Sequence, residues 1–498
     1  MVDLKRFVVL AFMVLGAACT DPASDAFRFG LAGAPANLDP RFATDATSDR
    51  INRLLYARLV DFNDAFEPVP SLADWEQLSP THYRFHLTSN AHRFHDGTVL
   101  TAYDVKATYD FILNAGNASP HRAALAVIDR IAARNETSLD FFLRHPEPLF
   151  PGYLVIGIVP ARLITARHPF HEHPVGSGPF SFLARPDETR LRLLRLRDQQ
   201  RFDFITVPDP TVRALKLMAG EIDMLQNDLP PELVGYLAND RTLRVQRTSG
   251  TNFSYLGFSF EDAVTGQALV RRAIAHAIDR QEIIRYVLDG AATPARSLLP
   301  PEHWAGARDL KPIPYDPEEA RALLRRAGYS PGHPARIVYK TSSDPFRIRL
   351  ATILQHQLQQ IGIAVDLRSY DWGTFYGDIK AGRFQMYSLT WVGIQTPDIF
   401  DYVFHSESVP PRGANRGRFL STRADAFIDR ARTAPDLAAK RRWYVRLQHH
   451  LADALPYVPL WCEDHIFIAR REIEGFTMAR DGNYDALAQV RRSSPDAS

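Results

Sequence analysis

The most informative segment of the chain is residues 83–105, which read YRFHLTSNAHRFHDGTVLTAYDV. Tyr83, Phe85 and Leu87 alternate with polar residues, the period of a half-buried β-strand. Residues 95–98, His-Asp-Gly-Thr, predict a turn in which Gly97 takes a positive φ. Thr101 and Asp104 have the spacing of a helix N-cap and its capping-box partner. The segment therefore predicts a strand, a polar tip, a second short strand, a turn and the start of a helix.

Length and composition describe a large, ordinary globular chain. With 498 residues it is too long for one hydrophobic core, so two or three domains are expected. Apolar residues make up 45% and charged residues 23%, and the formal net charge is +2. This balance gives no support for a nucleic-acid partner, which normally leaves a basic face.

The first nineteen residues predict export. Lys5 and Arg6 precede an apolar run, Phe7–Leu15, that is too short to span a bilayer. Small residues and then Cys19 follow it, so residues 1–18 are predicted to be a signal peptide. We expect Cys19 to carry a lipid and residues 19–26 to form a tether, which places the protein in the periplasm. Ordinary cleavage that leaves a soluble periplasmic protein is the alternative.

Cysteine usage is consistent with lipidation. The chain contains two cysteines, so a lipidated Cys19 would leave Cys462 without a disulfide partner. An exported chain of this size can rely on its own cores without a disulfide.

Strand and helix patterns alternate along the chain, which indicates a mixed α/β class. Residues 269–288 carry an apolar stripe at helical spacing and predict one long helix. The segment 262–460 looks self-contained, with flanking strands near residues 255 and 467. A segment inserted in this way predicts two lobes joined by two strand crossings.

No catalytic set is evident. Gly176-Ser177-Gly178 is not a nucleophile elbow, and neither a P-loop nor a dinucleotide-binding glycine pattern is present. His168, His171 and His173 could in principle bind a metal, but they lie in a Pro-containing loop without regular ligand spacing. We expect no enzymatic activity, no metal and no cofactor. Trp372 and Trp391 at strand ends could line a cleft together with Asn252 and Phe253.

Several further segments carry family-specific patterns. They are residues 94–97 with 101–105 (FHDG and TAYDV), 174–180 (PVGSGPF), 220–223 (GEID), 270–280 (VRRAIAHAIDR) and 315–328 (YDPEEARALLRRAG). In this order they resemble the signatures of the peptide-type, family 5 solute-binding proteins of bacterial ABC importers. The resemblance covers roughly residues 27–480.

This resemblance implies a bilobal periplasmic-binding-protein fold of type II with an extra subdomain. Lobe I would comprise residues 27–260, including the extra subdomain at about 56–170, and lobe II residues 261–462. The chain would return to lobe I over residues 463–490 and end in a tail, 491–498. A monomer would close on a short peptide and deliver it to a membrane permease driven by ATPase subunits.

The resemblance also implies ligand contacts. The matching positions are Gly33 and Ala34 in an early loop, Trp372 and Trp391 in lobe II, and Asn415. Asn252 is added as a possible cleft residue.

One departure bears on the ligand. Peptide binders of this family usually carry W-x-x-D, whose Asp receives the α-ammonium group, but here Ile394 follows Trp391-Val392-Gly393. Asp398 is the nearest carboxylate, and an unpaired buried ammonium group would cost several kcal/mol. Either Asp398 or another acid takes this role, or the ligand is an amine-blocked or non-peptide solute such as an opine, a glycoside or a modified peptide.

Two other classes stay open at this point. The histidine loop and the exported context would suit a periplasmic metal-dependent hydrolase. A structural or chaperone-like envelope lipoprotein would need no ligand at all.

Overall fold

The computed structural model describes residues 26–88 and 92–493. The predicted signal peptide, Cys19 and most of the tether lie outside the described residues. None of the helices within them combines the length and apolar character that crossing a membrane requires.

Strands predominate in the first half of the chain. The strands up to residue 258 are β1 (Phe27–Leu31), β2 (Val60–Phe62), β3 (Pro68–Pro70), β4 (Ala73–Ser79), β5 (His82–Leu87), β6 (Ile128–Ala133), β7 (Ser138–Leu143), β8 (Phe180–Asp187), β9 (Arg190–Arg195), β10 (Gln200–Thr206), β11 (Met224–Gln226) and β12 (Leu243–Phe258). The α-helices of this part are α1 (Ala46–Leu55), α2 (Ala102–Leu113), α3 (Ala161–Thr165), α4 (Pro210–Met218) and α5 (Pro231–Ala238). Short 3-10 turns occur at Ala115–Asn117, Pro120–Arg122 and Phe150–Tyr153.

Helices predominate in the second half. They are α6 (Ala268–Ala277), α7 (Arg280–Tyr286), α8 (Pro317–Arg326), α9 (Pro345–Gln360), α10 (Trp372–Lys380), α11 (Ile399–Phe404), α12 (Thr422–Arg432) and α13 (Leu437–Ala454). The strands are β13 (Ala292–Pro294), β14 (Ala335–Ser342), β15 (Ile363–Tyr370), β16 (Met386–Trp391), β17 (Tyr457–Arg470), β18 (Ile473–Glu474) and β19 (Arg491–Arg492), and a 3-10 turn spans Asp485–Gln489.

One large sheet runs through both halves of the molecule. Its strand order is β15-β14-β16-β12-β17-β11-β1-β10-β9-β8, with β13 added beside β17. The two long central strands, β12 and β17, pair antiparallel along most of their length. We call the half built on β1–β11 lobe I and the half built on α6–β16 lobe II. The prediction of two lobes joined by two strand crossings is confirmed, since β12 and β17 contribute to both.

Each part of the molecule has its own buried core. Lobe I packs a core around Phe29, and lobe II packs one around Ile274. A third core fills a smaller four-stranded sheet, β4-β5-β7-β6, covered by α2. This smaller unit, which we call the extra subdomain, falls within the predicted range 56–170. The residue boundaries assigned to the lobes stay a prediction.

Residues 82–88 and 92–105 fold largely as their pattern predicts. Tyr83, Phe85 and Leu87 of β5 are buried, whereas the residues between them are partly exposed. Gly97 has a φ of 85°, and the Asp104 carboxylate accepts hydrogen bonds from the backbone N–H and the hydroxyl of Thr101, both at 2.8 Å. The first strand, the turn and the capped helix start are confirmed. The second short strand is wrong, because among the described residues this part forms only a single bridge between Arg93 and Val99.

His95 connects this segment to residues 174–180. Its Nε2 lies 3.1 Å from the carbonyl oxygen of Gly178, and its Nδ1 lies 3.3 Å from the backbone nitrogen of Gly176. A donor on one nitrogen and an acceptor on the other define a neutral imidazole. Burial lowers the pKa of His95, which favours the same form. Gly176 and Gly178 are required here, because a Cβ would lie 2.0 Å and 2.3 Å from the carbonyl oxygens of Leu55 and Leu54.

The prediction of one continuous helix over residues 269–288 is wrong. Two helices, α6 and α7, are separated by Ile278, whose backbone is extended, and Asp279 caps α7 by accepting from the Glu282 N–H. The buried Arg280 guanidinium donates to the carbonyl oxygens of Ala275 and Pro459. A favourable N-cap and this tie to the end of α6 outweigh continuity of the apolar stripe.

The predicted tail begins too early. Arg491 and Arg492 form β19, which pairs antiparallel with β18. Residues 494–498 lie outside the described part of the chain.

Candidate ligand-binding cleft

A cavity of about 690 Å³ lies between the lobes, and we call it the main cleft. Lobe I contributes Arg50, Arg213 and Asp228, and lobe II contributes Asp344 and Arg347. The central strand β17 adds two consecutive acids, Glu463 and Asp464. This volume is in the range of small-molecule binding sites, and charges of both signs line it.

A second cavity of about 230 Å³, the side pocket, opens into lobe II. Arg347, Thr390 and Val392 line both cavities, so the side pocket is a branch of the main cleft. Its walls include Leu350 and Leu354 from α9.

Two guanidinium groups mark the lobe I side of the main cleft. Arg213 is buried, and it donates to the carbonyl oxygen of Val207 at 2.5 Å and to that of Asp228. Among the described residues, no carboxylate lies within 4.0 Å of either Arg50 or Arg213. Burial raises the pKa of Asp228, an effect that the cations Arg50 and Arg213 oppose. A ligand carboxylate would find two guanidinium groups here whose charge is partly offset by the nearby Asp228 carboxylate.

The β17 side of the main cleft is acidic. Glu463 accepts hydrogen bonds from the Ser254 hydroxyl at 3.0 Å and from the Arg347 guanidinium at 3.2 Å. Asp464 differs, because its Oδ1 is buried and accepts no hydrogen bond from any residue that the structure describes. Burial raises the pKa of Asp464 to about 6, against the lowering effect of the Arg247 cation. On the β17 side of the main cleft, Asp464 is therefore the acid whose oxygen is available to a ligand donor.

Several contacts connect the two sides of the molecule beyond the cleft walls. Glu232 on α5 and Arg349 on α9 form an exposed ion pair between the lobes. Glu147 of the extra subdomain pairs with Lys440 on α13, where both side chains are buried. The Tyr153 hydroxyl donates to Asp398 at 2.8 Å. The lobes are thus in contact around the cavity, as in a closed binding protein.

A family model for the bacterial extracellular solute-binding proteins, family 5 (its middle region), matches residues 67–409. This match covers more than half of the chain. The chain belongs to the family 5 solute-binding proteins.

Curated relatives of this family 5 protein align over nearly their whole length. The dipeptide-binding protein of Escherichia coli is 25% identical over 489 residues, covering 90% of this chain and 91% of the relative. Di/tripeptide-binding protein 1 of Pseudomonas aeruginosa is 26% identical over 496 residues, with the same two shares. The crystal structure of the substrate-binding protein CtaP from Listeria monocytogenes superposes with a TM-score of 0.85 at 21% identity, covering 95% of this chain and 100% of that one. The bilobal α/β fold is therefore shown.

Some of the predicted ligand residues line this family 5 cleft. Asn252 lines the main cleft, and Trp372 lines the side pocket. Gly33 and Ala34 directly follow Ala32, a main-cleft residue, and a Cβ at Gly33 would meet no atom within 4 Å. These four positions are at or beside the cavity.

Trp391 is set back from the cavity. Its neighbours Thr390 and Val392 line both the main cleft and the side pocket, whereas its indole lies 4.8 Å from the Arg416 guanidinium. The Trp391 indole therefore lies behind Thr390 and Val392, which form the cavity wall.

Asp398 and Asn415 do not line either cavity. Asp398 accepts hydrogen bonds from Tyr153 and, at 3.2 Å, from Tyr444. Asn415 is buried and accepts from the Phe419 N–H at 2.8 Å while its amide donates to the carbonyl oxygens of His405 and Phe419. Both side chains already have protein partners, and this differs from the ligand-contacting role predicted for them.

The hydrolase alternative finds no support in the geometry. Within residues 26–88 and 92–493, no group of three His, Cys, Asp or Glu side chains could hold a metal. His168 lies with its Nε2 2.6 Å from the carbonyl oxygen of His173. Burial raises the pKa of the Cys462 thiol to about 12, so that thiol is not a ready nucleophile.

Sequence reasoning missed most charged residues of the cleft. Glu463 and Asp464 interrupt an otherwise apolar strand, 457–470, and that interruption was a readable signal. Arg213 likewise interrupts the buried face of α4. Arg347 offers no such signal, because an Arg in the first turn of a helix usually faces solvent.

Proposed function

We propose that this protein is the substrate-binding component of an ABC importer, and that it captures short peptides with a free amine and a free carboxylate. The observation that carries the proposal is the separation of charge in the main cleft. On lobe I, Arg50 and Arg213 have no carboxylate of the described residues within 4.0 Å. On β17, the Oδ1 of Asp464 is buried and accepts no hydrogen bond from those residues. The relatives named for dipeptides and di/tripeptides support the ligand class.

In this proposal the α-ammonium group of the peptide pairs with Asp464, and its carboxylate pairs with Arg50. Asp464 has a buried Oδ1 without a partner, and an ammonium donor would satisfy it. Arg50 lines the cleft without a carboxylate within ion-pair distance in the described part of the chain. Asp464 thereby takes over the role that the missing acid at Ile394 would have had.

The peptide backbone would lie along Asn252 and the Gly33-Ala34 loop, with Trp372 at the lobe II side. Trp391 acts indirectly through Thr390 and Val392, and Asp398 and Asn415 serve the protein structure. The proposed lobes are residues 27–260 with 463–490 and residues 261–462.

Delivery of the bound peptide to a membrane permease is the last step of the proposed function. The monomer is anchored in the periplasm through a lipidated Cys19, closes on its peptide and presents it to a permease with ATPase subunits. Replacing Cys19 by Ala should move the protein from the membrane fraction to the soluble fraction. A Cys19→Ala variant that stays with the membrane would contradict the lipid anchor.

Isothermal titration of the purified, ligand-free protein with alanyl-alanine, N-acetyl-alanyl-alanine and alanyl-alanine amide tests the ligand class. We expect binding of the free dipeptide, with affinity losses of about tenfold or more on blocking either terminus, since each block removes one charge pair. Equal affinity for the acetylated and free dipeptides would overturn the role of the amine and favour an amine-blocked solute. Absence of binding by any of a broad set of free di- and tripeptides would overturn the peptide proposal.

A further inference from the structure

We infer that the side pocket is a subsite for one bulky apolar side chain of the ligand, and that it makes the protein selective for peptides carrying such a residue. This inference rests on the proposed function, since it assumes that a peptide occupies the main cleft.

The first argument is the shape of the pocket. Its volume of about 230 Å³ is a third of that of the main cleft, enough for one large side chain but too small for a further residue with its backbone. Leu354, Phe375, Leu460 and Trp461 form part of its wall and are each 2% exposed or less. Buried walls of this kind are held in place by the surrounding core, so the pocket is preformed.

The second argument is the chemistry of the pocket. None of the described residues that line it is an acid, and Arg347 is its one charged residue in that set. Arg347 stands where the pocket joins the main cleft and is already paired with Glu463 at 3.2 Å. The Ser254 and Thr390 hydroxyls, 2.8 Å apart, are likewise bonded to each other. A cationic side chain would find no counterion inside, whereas an apolar one would gain contact with the leucine and aromatic walls.

The third argument is the rim. Trp372 is 59% exposed and Val392 is 55% exposed, although both line the pocket. The Trp372 indole stacks on Tyr376 with a centroid separation of 5.3 Å and an interplanar angle of 6°, which fixes its orientation. A side chain entering the pocket would cover these two apolar surfaces, and their burial adds to affinity.

Isothermal titration with alanyl-alanine and with peptides in which one residue is Phe, Leu or Lys tests the inference. For the unmodified protein we expect at least one Phe or Leu peptide to bind about tenfold or more tightly than alanyl-alanine, because a large apolar side chain is buried. The corresponding Lys peptide should bind no more tightly than alanyl-alanine.

Two variants then locate the preference. Ser388→Phe fills the pocket from the strand β16, and Trp372→Ala removes the rim. Both should lower the preference for the Phe or Leu peptide to within about threefold of alanyl-alanine. Ser388→Phe should also leave the alanyl-alanine affinity within about threefold, which is less than 1 kcal/mol. For Trp372→Ala only the ratio of the affinities is compared, because Trp372 also borders the peptide in the main cleft. Tyr103→Ala, an exposed aromatic of the extra subdomain, is the matched control and should keep the preference.

The outcomes separate the two proposals. Binding of alanyl-alanine with no gain for any bulky apolar side chain would overturn the subsite and leave the proposed function standing. A preference that survives both Ser388→Phe and Trp372→Ala would also overturn the subsite, because the selectivity would then reside elsewhere. Absence of binding by every peptide would overturn the proposed function and this inference with it.

Discussion

The Tyr153 hydroxyl donates a hydrogen bond of 2.8 Å to the Asp398 carboxylate, and this bond joins the extra subdomain to lobe II. Tyr444 donates to the other oxygen of the same carboxylate. Asp398 is therefore an internal acceptor that holds two parts of the molecule together, and it lines neither the main cleft nor the side pocket.

Replacing Asp398 by Ala should lower the melting temperature by several degrees, because two buried phenol groups lose a charged acceptor worth about 1.5–3 kcal/mol for each bond. The affinity for a free-amine dipeptide should change by less than about threefold. Asp464→Asn is the informative counterpart, since it should weaken the same dipeptide by about tenfold or more. Calorimetry and thermal melts of both variants check this, and the reverse order of affinities would assign the amine to Asp398.

The buried pair of Lys440 and Glu147 is the second tie between the extra subdomain and lobe II. The Lys440 side chain is fully buried, so Lys440→Met leaves the Glu147 carboxylate buried without its cation. Removing one partner of a buried pair costs about 3–5 kcal/mol, and we expect a marked drop in the melting temperature. The double variant Glu147→Leu with Lys440→Met should recover much of the loss, and a double variant as unstable as the single one would show that the charge itself is not the cause.

The exposed pair of Glu232 and Arg349 should influence ligand release. Because it links α5 to α9, opening of the lobes must break it. Exposed pairs contribute about 0–1 kcal/mol and are screened by salt, so Glu232→Gln should speed dissociation by less than about fivefold at low salt and leave it unchanged at high salt. Stopped-flow dissociation at two ionic strengths measures this. Glu318→Gln, which removes another exposed ion pair, on α8, is the control. It should leave the dissociation rate unchanged at both ionic strengths.

The raised pKa of Asp464 predicts how stability depends on pH. Burial raises the pKa of Asp464 from 3.8 to about 6. Between these two pH values, the ligand-free folded protein holds a proton on Asp464 that the unfolded chain has already released. Stability should therefore fall as pH rises from about 4 through 6 and stay lower above that. The Arg247 cation lowers the pKa of Asp464 and so opposes this effect.

Asp464→Asn should remove this part of the pH dependence and raise the ligand-free stability at pH 7.5, by about 1 kcal/mol after allowance for partial solvent screening. Melts of both proteins between pH 4 and pH 8 test it, with Asp64→Asn as an exposed control. Parallel melting curves for the unmodified protein and Asp464→Asn would contradict the assignment.

Local periodicity and turn chemistry predicted the parts of the fold that depend on neighbouring residues. The alternation of Tyr83, Phe85 and Leu87 and the capping pair Thr101 and Asp104 were readable because each signal acts within a few residues. The break at Ile278 was readable only in part. Asp279 is a local N-cap signal, but the contact of Arg280 with the Pro459 carbonyl oxygen depends on a residue 179 positions away.

The candidate site was predicted less completely for the same reason. Trp372 was found through its place at a strand end and the family resemblance, and Asn252 was added as a residue that could line the cleft with it. Asp398 was assigned by its position after Trp391, but its partner Tyr153 is 245 residues away in sequence and no local pattern reveals it. Arg50 and Asp464 become neighbours of one cavity only when the sheet assembles.

Native mass spectrometry of the protein purified without denaturation, followed by release and sequencing of what the cleft holds, is the most direct test of peptide capture. We expect a fraction of the protein to carry one added mass that corresponds to a di- or tripeptide with both termini free and at least one bulky apolar residue. A stoichiometric non-peptide solute, or a peptide with a blocked amine, would contradict the proposed pairing of the ligand with Asp464.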